Sequence, residues 1–301
     1  MFESRLGCST ISFRHLTLHR ALDQIGNLGF TEIDLGSLPG VCDHVPLDLT
    51  GRAVKDVADA VSKSGLRVRS INCDVGDLND PATELSKSSQ CVGLLELAAT
   101  VGATALVLPN GAIGRTPIGD LATDLDRVAA NFELVLGCAQ GYGVEVWTES
   151  LHVFRLCCNS IRAAALTSRL NPSIGIVMDF SHIVASGGNP VRFVEAFGRR
   201  ITHVHVRDAT KGAVDLDGPE CIEDPGNINL SVGRGDVDFG AGLTALHSAG
   251  FAGHFTLELE TRDVTDEHRP SATSAAGHVI TTLLNRSTTE KISTTEKMET
   301  S

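Results

Sequence analysis

Residues 174–182 read IGIVMDFSH. An apolar, β-branched run ends at Asp179, and a stretch with helical spacing follows. This unit decides the fold, because the chain repeats it. Eight such runs occur: Leu6–Ser9, Glu32–Leu35, Val68–Asn72, Ala105–Pro109, Val144–Glu149, Gly175–Asp179, Thr202–Val206 and His254–Glu258. Amphipathic stretches lie between them. Leu18, Ala21, Leu22, Ile25 and Leu28 share one helical face, as do Leu121, Leu125, Val128, Phe132 and Val135. Strands alternating with helices form a parallel sheet through crossover connections. Eight units predict one (β/α)8 TIM barrel over residues 1–286, with no second domain. An open doubly wound sheet is the alternative, but no Gly-x-Gly-x-x-Gly follows the first run.

Composition narrows the function. The chain has 301 residues, with 25 Lys plus Arg against 37 Asp plus Glu, and a formal net charge of −12. Nucleic-acid binders carry a basic footprint, so no nucleic-acid partner is expected. No apolar run approaches the roughly 20 residues that span a bilayer, and no basic-plus-apolar leader opens the sequence. A cytoplasmic protein with no membrane partner is the expectation. The eight cysteines show no C-x-x-C spacing and read as reduced, small core residues. Two segments break the rhythm. Lys211–Val232 is a long polar loop of the kind that forms lids. Residues 287–301, with the near-duplicate STTEKI and STTEKM, are expected to be a disordered polar tail.

Barrel enzymes act at the C-terminal ends of their strands. The last four runs end in Glu149, in Asp179 with His182 three residues on, in His203 and His205 before Asp208, and in Glu258 and Glu260. A single carboxylate at a strand end is often only a helix cap. Several converging there would repel one another and lose hydration, and a divalent cation removes that cost. Alternation puts His203 and His205 on one face, and Glu258 and Glu260 on one face, so it does not choose within either pair.

GVEVWTES (143–150), IGIVMDFSH (174–182), RITHVHVRDA (200–209), VGRGDVDF (232–239) and GFAGHFTLELE (250–260) occur in one order and spacing. In this the chain resembles the xylose isomerase-like TIM barrels of the sugar phosphate isomerase/epimerase superfamily, over roughly residues 5–285. The resemblance implies Glu149, Asp179, His205 and Glu258 as metal ligands, with Glu149 and Glu258 also the catalytic acid and base. It implies His182 at the substrate and Asp208 supporting a loop or the metal shell. Arg207 and Lys211 are further substrate-binding candidates, as are His44 and Asn72 from earlier strand ends. Arg155 stands where the family's sugar 3-epimerases carry a second glutamate, and reads as a grip for a phosphate or carboxylate or as a solvent-facing helix-start residue. Phe13, Trp147 and Phe180 are the aromatic candidates near the strand ends. His15, His19, His247, His268 and His278 read as surface residues.

Three carboxylates and one imidazole suit Mn²⁺ best, with Mg²⁺, Co²⁺ or Zn²⁺ as alternatives. The implied activity is a metal-dependent isomerase or epimerase of a carbohydrate or sugar phosphate, working through an enediolate. A lyase or dehydratase on a keto-sugar, inosose or 3-oxo-glycoside would use the same metal and base. An endonuclease IV-like phosphodiesterase fits less well, given the charge. The family also implies homo-oligomers.

Overall fold

The computed structural model describes residues 1–46, 48–83, 89–213 and 224–299. Eight parallel strands close into a barrel in sequence order. They are β1 (Leu6–Ser9), β2 (Glu32–Ser37), β3 (Arg67–Cys73), β4 (Ala105–Leu108), β5 (Glu145–Glu149), β6 (Gly175–Asp179), β7 (Ile201–Val206) and β8 (His254–Leu257). The helices are α1 (Leu18–Leu28), α2 (Gly51–Ser64), α3 (Ser89–Val101), α4 (Leu121–Gln140), α5 (Ser160–Thr167), α6 (Phe180–Ala185), α7 (Pro190–Phe197), α8 (Phe239–Ser248) and α9 (Arg269–Glu299). The expected single-domain (β/α)8 barrel is what forms. Among the described residues, no helix is long and apolar enough to cross a membrane.

Local chemistry sets the element ends. Thr50, Asp120, Asn159, Asn189 and Asp238 each accept a backbone N–H as the N-cap of the helix that follows. Gly29 and Gly65 end α1 and α2 in the left-handed conformation. The helix that begins at Arg269 continues over residues 287–299, where composition predicts an unstructured tail. Helical hydrogen bonds are local and form without apolar burial. Residues 300 and 301 lie outside the described residues.

The main core lies between barrel and helices, with Leu22, Ile25, Leu94, Phe132, Met178 and Phe180 among its buried members. Inside the barrel, Ala105, Val107, Trp147 and Val177 form a separate cluster. His203 stacks on Trp147 with ring centroids 5.3 Å apart. A Cβ on Gly175 would lie 2.6 Å from the Trp147 ring, so only glycine leaves room for this packing. Side chains two residues further along share the inward face, so Glu149, Asp179 and His205 sit one layer above Trp147, Val177 and His203. The register agrees, with Asp179 beside His205 and Val177 beside His203. The core is therefore a floor under the site.

The aromatic candidates belong to this packing. Phe13 and Phe180 are fully buried, and Phe180 meets Phe239 edge-on. Seven cysteines fall in the described residues, and Cys221 lies outside them. Six of the seven are buried, and burial pushes the Cys8 thiol up to about 12. His15, His19, His268 and His278 are exposed and His247 is half-buried.

Asp208 organises the loop after β7. Its Oδ2 accepts the backbone N–H groups of Gly233, Arg234 and Gly235 at 2.7, 3.1 and 3.0 Å. Its Oδ1 accepts those of Ala209 and Val237 at 2.8 and 3.3 Å. A Cβ on Gly235 would come within 2.3 Å of Oδ1, which explains the glycine of VGRG. The flanks of the expected lid loop pair with each other, Thr210 N–H donating to Asn227 and Ala213 N–H to Asp224. Residues 214–223 of that loop lie outside the described residues. Asp208→Asn turns an amide N–H₂ toward these donors and should cost about 2–3 kcal/mol. Calorimetry should show the lower melting temperature, with faster amide exchange at residues 233–237.

Candidate metal and active site

Glu149, Asp179, His205 and Glu258 converge at the C-terminal mouth of the barrel. Each offers a ligand atom, and these atoms lie within 4.8 Å of one another. His205 is central. Its Nδ1 lies 3.4 Å from Glu149 Oε1 and 3.4 Å from Glu258 Oε2. His205 Nδ1 and Glu149 Oε1 are buried without a hydrogen-bond partner. Such orphaned atoms are costly in protein alone and are what a cation would take up. The donor set, rich in oxygen with one imidazole, fits a hard or borderline divalent ion.

Asp179 combines two duties. Its Oδ1 accepts the N–H groups of Ser181 and His182 and so caps α6. Its Oδ2 turns to the site and meets Arg207 Nη2 at 3.1 Å. The helix-cap reading of this carboxylate is thus correct for one oxygen only. Asn72 Nδ2 donates to Glu258 Oε1 at 2.9 Å and sets the plane of that carboxylate.

The electrostatics follow from burial. Burial pushes the Glu149 carboxyl up to about 7, and pushes Glu258 up as well. Burial also opposes charge on Asp179, but Arg207, His205 and Ser181 pull it below its ordinary value. His205 is buried too, yet Glu258, Asp34 and Glu149 raise it well above the usual histidine range. Burial, then Arg207 and His205, holds His182 well below that range.

A second group, Glu149, His152 and His182, also brings ligand atoms within 4.8 Å. It is a poorer metal site. Phe154 N–H donates to His152 Nδ1 at 3.3 Å, so the proton of this neutral ring is on Nε2. His152 therefore presents an N–H donor and no lone pair. His182 faces donors on both sides, Val153 N–H on Nδ1 at 3.4 Å and Arg207 Nη2 beside Nε2 at 3.0 Å. A neutral imidazole has one acceptor nitrogen, so these contacts conflict.

The pocket is small, about 60 Å³, and is lined by Asn72, Glu149, His152, Arg155, His182, Arg207, Glu258 and Glu260, with Leu38, Cys73, Leu108 and Pro109. No Phe, Tyr or Trp lines it. Arg155 is buried, not solvent-facing. It pairs with Asp74 at 2.6 Å and donates to Gly111 O at 3.0 Å. Two expected residues are not brought to the site. Lys211 is exposed, its backbone N–H held by Asp236. His44 spends its ring nitrogens on Cys42 Sγ and Leu16 O, at 3.3 and 3.0 Å. A larger groove of about 810 Å³ between α7 and α8 gathers no comparable set of titratable groups.

Sequence reasoning did not single out Asp34, nor Glu260 as a bridge between two arginines. Asp34, on β2, is fully buried. Its Oδ2 lies 2.8 Å from His203 Nε2 and 3.5 Å from His205 Nε2, and its Oδ1 accepts Ser70 N–H at 3.1 Å. An anion beside Nε2 keeps the proton there and leaves Nδ1 toward the metal ligands. The signal was faint, an aspartate between Ile33 and Leu35. Glu260 links Arg14 and Arg207, each at 3.4 Å.

Two expectations follow. Asp34→Asn removes the anion beside Nε2, so Mn²⁺ affinity should fall about 10–100-fold by titration calorimetry. Glu149, pushed up to about 7 from an ordinary 4.5, holds a proton that the unfolded chain has released. Its contribution to the metal-free protein's stability therefore falls as pH rises from about 4.5 to about 7. Metal needs the carboxylate, so added Mn²⁺ should stabilise more at pH 7.5 than at pH 5.5. Melting curves in EDTA and in Mn²⁺ at both pH values check the sign.

Comparisons with known proteins bear on the fold. Over 158 residues the chain is 24% identical to 3-dehydroshikimate dehydratase of Pseudomonas putida, a match covering 52% of this chain and 23% of that one. The chain thus spans about a quarter of that relative's length. The structure of L-ribulose 3-epimerase superposes with a TM-score of 0.72 at 18% identity, covering 96% of this chain and 97% of that one. The IOLI protein with a binding zinc atom gives 0.68 at 17% identity, covering 92% and 98%. A family model described as xylose isomerase-like TIM barrel matches residues 22–281. The chain belongs to the xylose isomerase-like TIM barrel family.

Proposed function

We propose that the protein is a divalent-metal-dependent isomerase or epimerase of a small carbohydrate, moving a proton at a carbon next to a carbonyl. One observation carries this reading: the Glu149 and Glu258 carboxyl groups reach the same imidazole from the ends of two strands. Isomerisation and epimerisation need two such groups, one to take a proton and one to return it.

Glu149, Asp179, His205 and Glu258 would hold the cation, which when bound supplies Lewis acidity to the carbonyl oxygen and so acidifies the neighbouring C–H. Asn72 fixes the Glu258 carboxylate, so its free oxygen stays aimed at the site. His152 directs an Nε2–H donor at the pocket, suited to a hydroxyl or to oxygen charge that develops during reaction. Arg155 forms part of one wall, held in place by its ion pair with Asp74.

A dehydratase is the second reading, supported by the resemblance to 3-dehydroshikimate dehydratase. The same proton removal expels a leaving group on the next carbon. Incubation with Mn²⁺ and a panel of keto sugars, sugar phosphates and inososes in D₂O, followed by NMR, tests both. Deuterium should enter next to a carbonyl, and Glu258→Gln should slow this about 10²–10⁴-fold. A new enone absorbance would assign the dehydratase. No exchange on any substrate, with Mn²⁺ bound, would contradict both.

A further inference from the structure

Arg207 is buried in the middle of the acidic cluster. Its Nη2 lies 3.1 Å from Asp179 Oδ2 and 3.7 Å from Glu258 Oε2, and Nη1 lies 3.4 Å from Glu260 Oε1. Two of these partners, Asp179 and Glu258, belong to the four-residue metal cluster. We propose that Arg207 is a tethered cation that competes with the metal, and that it sets the metal affinity of the site.

This inference rests on the metal reading above and goes beyond it. A guanidinium and a divalent ion both draw on Asp179 Oδ2, and at such distances in a buried site their mutual repulsion is weakly screened. The metal therefore binds only by displacing the guanidinium from Asp179. Two observations show how. First, the conflict at His182 eases when Nη2 leaves, because Val153 N–H then keeps Nδ1 as its acceptor and Nε2–H is free to turn to Glu149 Oε2, 3.8 Å away. Second, Arg207 has a place to go. Glu260 already holds Nη1 and lines the pocket, so the guanidinium can pivot onto it without losing an anionic partner. The released charge then faces the substrate.

The charge also has a purpose before metal arrives. Asp179, Glu258 and Glu260 are at least four-fifths buried, and without a cation they would repel one another. Arg207 keeps the metal-free protein folded at the expense of affinity. Removing the charge should separate the two effects.

The test is calorimetric titration of Mn²⁺ into the full chain, as wild type, Arg207→Gln and Arg207→Lys, with melting curves in EDTA and in Mn²⁺. Arg207→Gln should bind Mn²⁺ at least tenfold tighter than wild type, melt earlier in EDTA and gain more from Mn²⁺. Arg207→Lys keeps the charge and should stay nearer wild type. If Arg207→Gln folds only with Mn²⁺ present, that also supports the proposal, since the metal then replaces the missing charge. Equal or weaker binding by folded Arg207→Gln overturns it, as does failure of that variant to fold even with Mn²⁺. If neither wild type nor Arg207→Gln binds Mn²⁺, the metal reading falls with it.

Discussion

Buried negative charge at the barrel mouth is the constraint from which the rest follows. Asp34, Glu149, Asp179 and Glu258 converge, largely out of solvent, around the His205 imidazole. Each pays a desolvation cost, and each raises the cost of its neighbours. The protein answers with cations of its own. Asp34 is held ionised, against burial, by His203 and His205. Asp179 is held ionised by Arg207 and His205. Glu149 and Glu258 receive less compensation, and their proton affinity rises.

The fold serves this arrangement. A parallel barrel brings all its C-terminal strand ends to one mouth. Trp147, Val177 and His203 fill the layer beneath and hold the ligands above them in register. Asp208 gathers five backbone N–H groups and fixes the loop after β7, the strand that carries His205 and ends just before Arg207. The cost of assembling the anions is thus met by a rigid frame built from ordinary packing and capping.

The fold was legible because strand and helix periods differ, and the eight apolar runs fall on the eight strands. Boundaries shifted by a residue or two, as at β8, which stops at Leu257, one short of Glu258. The four clustered residues were legible as ones that end strands, although choosing His205 over His203 and Glu258 over Glu260 needed the family resemblance. What stayed hidden depends on distance across the barrel. Nothing local in β2 says that Asp34 meets histidines 169 residues away. His44 looked like a strand-end ligand, but its ring turns back to Leu16. Arg155 reads equally as surface or site until Asp74 is seen beside it. Pairings of this kind come from closure of the barrel, which composition and spacing do not encode residue by residue.

The most direct measurement is an anomalous difference map from a crystal grown with Mn²⁺. The account predicts one strong peak among Glu149, Asp179, His205 and Glu258, with the Arg207 guanidinium moved off Asp179 toward Glu260. A peak at Glu149, His152 and His182 instead, or no peak at either cluster, would contradict it.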